Sequence, residues 1–428
     1  MLDRTHHGLA SYQDRVYALL GRLGPRAGFL RNVTDGLLDE TTCQDPNGWY
    51  DTLTEAEILP DGPRSWAIGS HRLATEVLED RRFGKPPTSW VPVKAARIIF
   101  ESFLLRDPPD HPRIRAVIQP AFTPAAMQAL ETHVQDLADE EVRRAMAGRR
   151  FDAVAQISRP LPFQVIADVL GVPEEDRGEL AALSKVLTES MEAQFPSSLR
   201  EAIAALWAPR QRPIAAVRAA TRTVKITQRL LRDASHPTGV TERIARAAEG
   251  GTISNDEAVA AWVTVFTAGH ETSVTLITNT LHAIVHQKGI FDNTHGNEAL
   301  IIPAVEETLR LHTPVVVALR VARYETTLAD QHIRRGDRLT VLLGAANRDP
   351  SVFDGPHEFA LHRTNARSHL AFGLGAHHCL GSQLARMEAR AVVRAVSRQA
   401  EHLALAQPTS WVPGRSFRSL RSLILTVA

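Results

Sequence analysis

Ser254 and Glu257 have the spacing of a reciprocal helix cap, and the apolar pattern they open runs without a stop to about His286, shortly before Gly289. At 1.5 Å per residue such a helix is roughly 48 Å long and has to cross the whole molecule. Everything else must pack around it. Other helical signals agree: Thr123 can cap and Pro124 can take the first turn of a helix carrying Leu130, Val134 and Leu137 on one face. A second helix is predicted from Pro162 to Leu170, with Gly171 and Pro173 as its stop. Strand-like runs are short and late: Val315 to Leu319, Leu339 to Leu343 and Leu423 to Val427. The expected fold is mainly α with small β-sheets, a single unit over residues 1–428 in which the first sixty are the least diagnostic. Proline-rich stretches from Pro86 to Pro92 and from Pro196 to Pro213 interrupt the helical pattern and read as loops.

Charge excludes some partners. Lys and Arg number 49 against 48 Asp and Glu, a formal net charge of +1, so no global field draws the chain to nucleic acid or an anionic membrane. No apolar run approaches the roughly 20 residues a bilayer span requires. Two cysteines are too few for a secreted disulfide framework, and a reducing, cytoplasmic setting is expected.

Each thiol needs its own account. Cys43 has no glycine frame, no neighbouring cations and no helix start, and reads as structural. Cys379 is framed by Phe372-Gly373-Leu374-Gly375-Ala376-His377-His378 before it and Leu380-Gly381 after it, and a helical pattern follows. Glycines admit a large flat ligand, and a helix start favours a thiolate. The residues alone leave three readings: a buried small hydrophobe, a metal ligand, or a nucleophile paired with a histidine. On the long helix, Ala268-Gly269-His270-Glu271-Thr272-Ser273 breaks the apolar run of Trp262, Val263, Val265 and Phe266. A threonine there can bond back to a helical carbonyl, and a glycine leaves room beside the backbone. Glu271 and Thr272 could equally be a solvated face.

The segment from Phe372 to Gly381 resembles the haem-ligand loop of the cytochrome P-450 family, with Phe372, Gly373, Cys379 and Gly381 at matching positions. The resemblance covers roughly residues 65–428. It implies the P-450 fold, with the long central helix crossing a haem b (iron protoporphyrin IX), and a monooxygenase that inserts one atom of dioxygen into a C–H or C=C bond. It implies that Cys379 is the iron ligand, that Phe372 shields its sulfur and that Gly381 belongs to the haem loop. On the long helix it implies that Ala268 and Gly269 border the haem, that Thr272 hydrogen-bonds dioxygen and that Glu271 relays protons. It gives His270 no role.

By the same resemblance His111, Arg115, Arg320 and His377 hold the haem propionates, and Glu307 and Arg310 form a structural acid–base pair. Asn347-Arg348-Asp349-Pro350 and the segment Asp354 to Phe359 are similar to the family's meander, with one departure. Glu358 stands where an arginine often completes the ion network, and Arg363 or His357 is the candidate replacement. Substrate-lining positions implied are Trp90 and the loop to Phe100, residues 196–213, Val265, and Val316 and Val317. The implied substrate is a small hydrophobic metabolite, a polyketide or macrolide of secondary metabolism among the choices. Electrons are expected from NAD(P)H through a ferredoxin and ferredoxin reductase docking near Cys379, with Arg386, Arg390 and Arg394 offering positive charge, and the enzyme is expected to be a monomer. Two rivals stay open: an atypical oxidation such as ring closure, C–C coupling or peroxide use, and a haem-binding sensor that turns over nothing.

Overall fold

The computed structural model describes residues 33–86, 102–193, 212–233, 239–287 and 290–427. Within these the helices are α1 (Glu40–Gln44), α2 (Asn47–Ala56), α3 (His71–Glu79), α4 (Asp110–Ile118), α5 (Pro124–Met146), α6 (Pro160–Leu170) and α7 (Glu174–Ala193). They continue as α8 (Arg212–Arg232), α9 (Val240–Glu249), α10 (Asn255–His286), α11 (Ile290–Thr294), α12 (Ile301–Leu311), α13 (Leu343–Ala346) and α14 (Ser382–Gln399). Helix α10 is the long helix read from the sequence. Its cap is reciprocal: the Glu257 N–H donates to Ser254 Oγ at 3.2 Å, and the Ser254 N–H donates to Glu257 Oε2 at 2.8 Å. It packs against α6, α7, α8, α9, α12 and α14, so that nearly every side chain from Glu257 to Phe266 and from Ser273 to Ile284 is buried. Trp262 stacks on Phe266 with ring centroids 5.4 Å apart, and each such fully buried side chain contributes about 1.5–3 kcal/mol. Helix α5 starts at Pro124 under a Thr123 cap, and α6 ends on Gly171 in the left-handed conformation at φ 72°, both as expected.

The sheets are small. One has five strands in the order β1 (Ile58–Pro60), β2 (Ser65–Ile68), β8 (Arg338–Leu342), β5 (Val317–Ala322) and β3 (Phe83–Gly84). A second runs β4 (Arg150–Asp152), β10 (Ile424–Val427), β9 (Leu403–Leu405), and a hairpin pairs β6 (Thr326–Leu328) with β7 (Gln331–Ile333). The late strands match the sequence reading to within two or three residues. Strands β1, β2 and β3 went unseen because none exceeds four residues, too short for an alternating pattern to register. The parallel β2–β8 pair, with Ser65 opposite Arg338 and Ile68 opposite Val341, fastens the early chain to the segment that precedes the cysteine loop.

Cys43 departs from expectation by lying inside a helix, α1, where it is buried and its carbonyl accepts from Arg418 at 2.8 Å. The same Arg418 lies 4.0 Å over the Trp411 ring, beside a cluster at the C-terminal end of α10. There His282 stacks on His286 and His312 stacks on Trp411, with Nδ1 of both His282 and His312 buried and without a hydrogen-bond partner among the described residues. Burial, then repulsion from His286 and Arg418, holds the His282 imidazole down to about 4, and His312 is lowered by burial and Arg418 as well. Their folded values lie below the unfolded value near 6.5, so the unfolded chain binds more protons. The stability they allow is complete above about pH 6.5 and is lost as pH falls toward 4. His282→Gln should therefore flatten the loss of thermal stability between pH 6.5 and 4, where His282 alone accounts for up to about 3 kcal/mol; melting curves at stepped pH values measure it, and an unchanged acid slope contradicts it.

Candidate active site

The cysteine loop is shaped by its glycines and closed by its own backbone. Gly373 and Gly375 take φ of 64° and 70°, a region that favours glycine, and a Cβ on Gly375 would come within 3.0 Å of the Leu78 carbonyl oxygen. The Cys379 N–H donates to the Phe372 carbonyl at 2.9 Å, which folds the loop back on itself. Helix α14 begins three residues after the cysteine, and the Gly381 N–H donates to the sulfur. Cys379 is open to solvent yet surrounded closely enough for burial to push its thiol up, as on the wall of a concavity; the Gly381 N–H, Arg115 and Arg386 oppose that push. A Cβ at Gly381 would meet no protein atom within 4 Å, so packing does not require a glycine there.

Beside the loop stands a group of cations with too few counter-charges. His111 and Arg115 share a face of α4, and the His111 ring lies 4.2 Å from that of His377. Arg115 donates to the His378 carbonyl at 2.9 Å and so also grips the loop backbone. Arg320, from β5, is 3% exposed, and burial lowers its guanidinium to about 10. Lys85, directly after β3, joins them although nothing in the sequence marked it. Burial, reinforced by Arg320, pushes its ammonium down to about 7. Among the described residues Asp107 is the carboxylate that offsets Lys85, Arg320 and His111, and it is already held by Arg323 and by His377 Nε2 at 3.5 Å. Burial would raise the Asp107 carboxyl, but those hydrogen bonds and that from the Lys85 N–H keep it well below the usual range. Burial, then the neighbouring His377, Arg115 and Lys85, drops His111 to about 4, and its Nε2 is buried with no partner among the described residues.

Helix α10 shows one break in its burial. Ala268 is exposed and Thr272, one turn on, is half-buried, with Val265 on the same face. Thr272 Oγ1 donates to the Ala268 carbonyl at 2.6 Å, the back-bond the sequence allowed. The neighbours turn elsewhere. A Cβ on Gly269 would come within 2.7 Å of Ile166 Cδ1, so the freedom of that glycine is used to seat α6 against α10. His270 is buried, donating from Nε2 to the Arg159 carbonyl at 3.2 Å and accepting from Ser184 at Nδ1 over 2.8 Å, which fixes α7 and the start of α6. Glu271 is paired with Arg159 at 2.7 Å, a partner that sequence reasoning missed because it lies 112 positions away.

The comparisons agree with this geometry. The cytochrome P450 family profile matches residues 300–399. The cytochrome P450 monooxygenase PikC of Streptomyces venezuelae is 32% identical over 402 residues, covering 91% of this chain and 92% of PikC. It belongs to the cytochrome P450 family. The biotin biosynthesis cytochrome P450 of Bacillus subtilis is 29% identical over 393 residues, 90% of this chain and 96% of that one. Among solved structures, P450BioI in complex with acyl carrier protein bearing hexadec-9Z-enoic acid superposes with a TM-score of 0.81 at 28% identity, covering 90% of this chain and 99% of P450BioI. The protein is accordingly a P450 monooxygenase-type oxidoreductase with the P450 fold, and the family implies a haem.

The residues present fit that group. A thiol beside a helix start suits iron, an unneeded glycine suits a flat macrocycle, and three cations with an orphaned His111 nitrogen suit two carboxylates. Several expectations are revised around this P450 site. The buried pair is realised by Arg310 on Glu307 at 2.8 and 2.9 Å, and it is Arg363, not His357, that completes it at 2.9 Å; His357 pairs with Asp51 instead. Arg386, Arg390 and Arg394 are not a free docking patch: Arg386 binds Glu306, Arg390 bonds the Arg386 carbonyl, and Arg394 reaches Gln135 and Glu298. Val316 is 1% exposed in a core with Tyr50 and Leu53, which removes it from the lining, while Val317 is half-buried in β5. Trp90 and the loop to Phe100, and residues 196–211, lie outside the described residues. No helix among the described residues is long and apolar enough to cross a membrane. Replacing Lys85 with Met should remove one charge-assisted bond of about 1.5–3 kcal/mol and speed haem transfer to an excess of apomyoglobin roughly 10- to 100-fold; transfer at the wild-type rate would show that Lys85 does not face the haem.

Proposed function

We propose that the protein is a haem-thiolate monooxygenase that places one oxygen atom into an unactivated C–H or C=C bond of a small hydrophobic metabolite, with polyketides or macrolides the class to test first. The observation that carries this reading is the glycine-shaped Cys379 loop with the cation group of Arg115, Arg320, Lys85, His111 and His377 gathered beside it. Haem b, when bound, supplies dioxygen activation, and a thiolate ligand favours O–O cleavage. The protein does the rest. Cys379 donates the sulfur, the Gly381 N–H moderates its charge, and Phe372 covers it. Arg115, Arg320, Lys85, His111 and His377 would hold the propionates of the bound group.

Thr272 manages the proton. With its own hydrogen given to the Ala268 carbonyl, its oxygen is free to accept a hydrogen bond and hold a proton-bearing water in the opening; rotating away from Ala268, it donates toward the haem side. Glu271 is held by Arg159 at 2.7 Å, and release from Arg159 lets it pass a proton inward. That pairing of a placed hydroxyl with a placed acid favours dioxygen use over peroxide use, and over a sensor that turns over nothing. The apolar Val265 and the fatty acyl chain carried in the P450BioI complex both support a hydrophobic substrate. Electrons are proposed to come from NAD(P)H by way of a ferredoxin and its reductase, delivered to a monomer.

Reduced protein under carbon monoxide should show the red-shifted Soret band of thiolate ligation, and Cys379→Ser should lose it; a histidine-type spectrum in the wild type contradicts the proposal. Thr272→Ala should keep its haem and its spectrum while the fraction of NAD(P)H converted to product falls roughly tenfold or more and peroxide rises in step. Equal product-to-peroxide ratios in the two proteins would remove Thr272 from the chemistry.

A further inference from the structure

Phe372 is covered on one face by a cation. The guanidinium carbon of Arg386 lies 4.4 Å from the ring centroid, and the same guanidinium is held by Glu306 through Nε at 2.7 Å and Nη2 at 3.1 Å. Glu306 also takes a hydrogen bond from His369 Nε2 at 3.2 Å, while His369 Nδ1 accepts the Ala371 N–H at 3.2 Å. The Nδ1 acceptor role leaves Nε2 as the ring atom that donates to Glu306. Burial would raise the Glu306 carboxyl, but the His369 and Arg386 bonds hold it at about 2. The pair is oriented: its positive end rests on the ring whose backbone carbonyl receives the Cys379 N–H, and its negative end points back into α12.

We infer that Arg386 is a positioning residue for the thiolate site, one that fixes the Phe372 ring and, through its oriented pairing with Glu306, withdraws electron density from the Cys379 sulfur and so raises the reduction potential of the bound haem. A planar guanidinium stacked on a ring attracts the ring's electron-rich face and stiffens it, which a lysine or a surface ion pair does not do. Less electron density on the sulfur means less donation to the iron, which favours the ferrous over the ferric state. Tethering α14 to α12 would by itself explain the ion pair, but it gives no reason for the guanidinium to lie over the ring of the residue whose carbonyl receives the Cys379 N–H.

The inference rests on thiolate ligation, and the experiment separates the two. The wild-type haem protein is first checked for the thiolate carbon-monoxide spectrum; if that spectrum is absent, the ligation reading fails and this inference with it. Where it is present, spectroelectrochemical titration of wild type, Arg386→Met and Glu306→Gln follows. Arg386→Met is expected to lower the ferrous-to-ferric ratio at fixed potential about tenfold, equivalent to about 59 mV for one electron. Glu306→Gln, which leaves the Arg386 charge uncompensated, is expected to move the ratio the opposite way. A shift in the same direction for both variants, or ratios within twofold of wild type, would overturn the inference, because a tether is lost equally from either end. Should Arg386→Met fail to load haem, Arg386→Gln, which keeps a hydrogen bond to Glu306 without the charge, takes its place with the same expected direction and the same overturning result.

Discussion

The buried contact of Glu307 with Arg310 and Arg363 determines where the rest of the haem-side chain can lie. Both members of the Glu307–Arg310 pair are fully buried, and taking such charges out of water costs several kcal/mol per ion unless every donor and acceptor is met. They are met here by backbone. Arg310 donates to the carbonyls of Asn347, Pro356 and Glu358, Arg363 to that of Gly355, and the Ala360 N–H donates to Glu307. A stretch with no helix or strand of its own is thereby given one conformation, because any other leaves a buried charge short of partners. Asn347, fixed at the head of this stretch, then accepts the Leu370 N–H through its side chain, and the cysteine loop starts two residues later.

Helix α12 carries this function twice. Glu306 and Glu307 are adjacent, so their side chains leave the helix about 100° apart; one anchors the meander and the other binds His369 and Arg386 around the thiolate loop. Both carboxylates are buried and both are held ionised by cations in contact with them. The helix thus serves as a rigid bracket, and a shift in its position would disturb the loop from both sides together. The cations near Lys85 obey the opposite rule. Lys85, Arg320 and Arg115 are buried or half-buried with their charges incompletely matched, an arrangement that weakens the apoprotein and is relieved by a dianion. Surface pairs such as Arg143–Glu140 contribute little either way, since water screens them.

Much of this was legible in the chain. The glycine pattern around Cys379, the capping box of α10 and the Glu307–Arg310 spacing are local, and local signals survive in a sequence. The misreadings share a cause: each concerned a contact between distant segments. The contact that a side chain at Gly269 would meet is Ile166 on another helix, a neighbour the local sequence does not announce. Arg386 and Arg394 looked like free surface charge, yet Glu306 and Glu298 come from 80 and nearly 100 residues away to bind them. Lys85 stayed hidden because a lone lysine after a two-residue strand has no pattern at all until β3 pairs with β5 and brings it beside Arg320. The choice between Arg363 and His357 likewise waited on where the meander turns.

Helix α10 shows how one element can be both scaffold and reactive surface. Positions 268 and 272 share a face, while 269, 270 and 271 are rotated from it by successive steps of about 100°. The segment from Ala268 to Thr272 therefore reads as one motif but works in three directions: Gly269 seats α6, His270 fixes α7 and the start of α6, and Glu271 is bound to Arg159. Each of these contacts resists rotation of the helix about its axis. What they hold is the direction in which Ala268 and Thr272 face, because a rotation of the helix would carry the Thr272 hydroxyl and the Ala268 carbonyl it is bonded to away together. Gly269 and His270 thus bear on the chemistry through geometry, by seating the helix that carries Ala268 and Thr272.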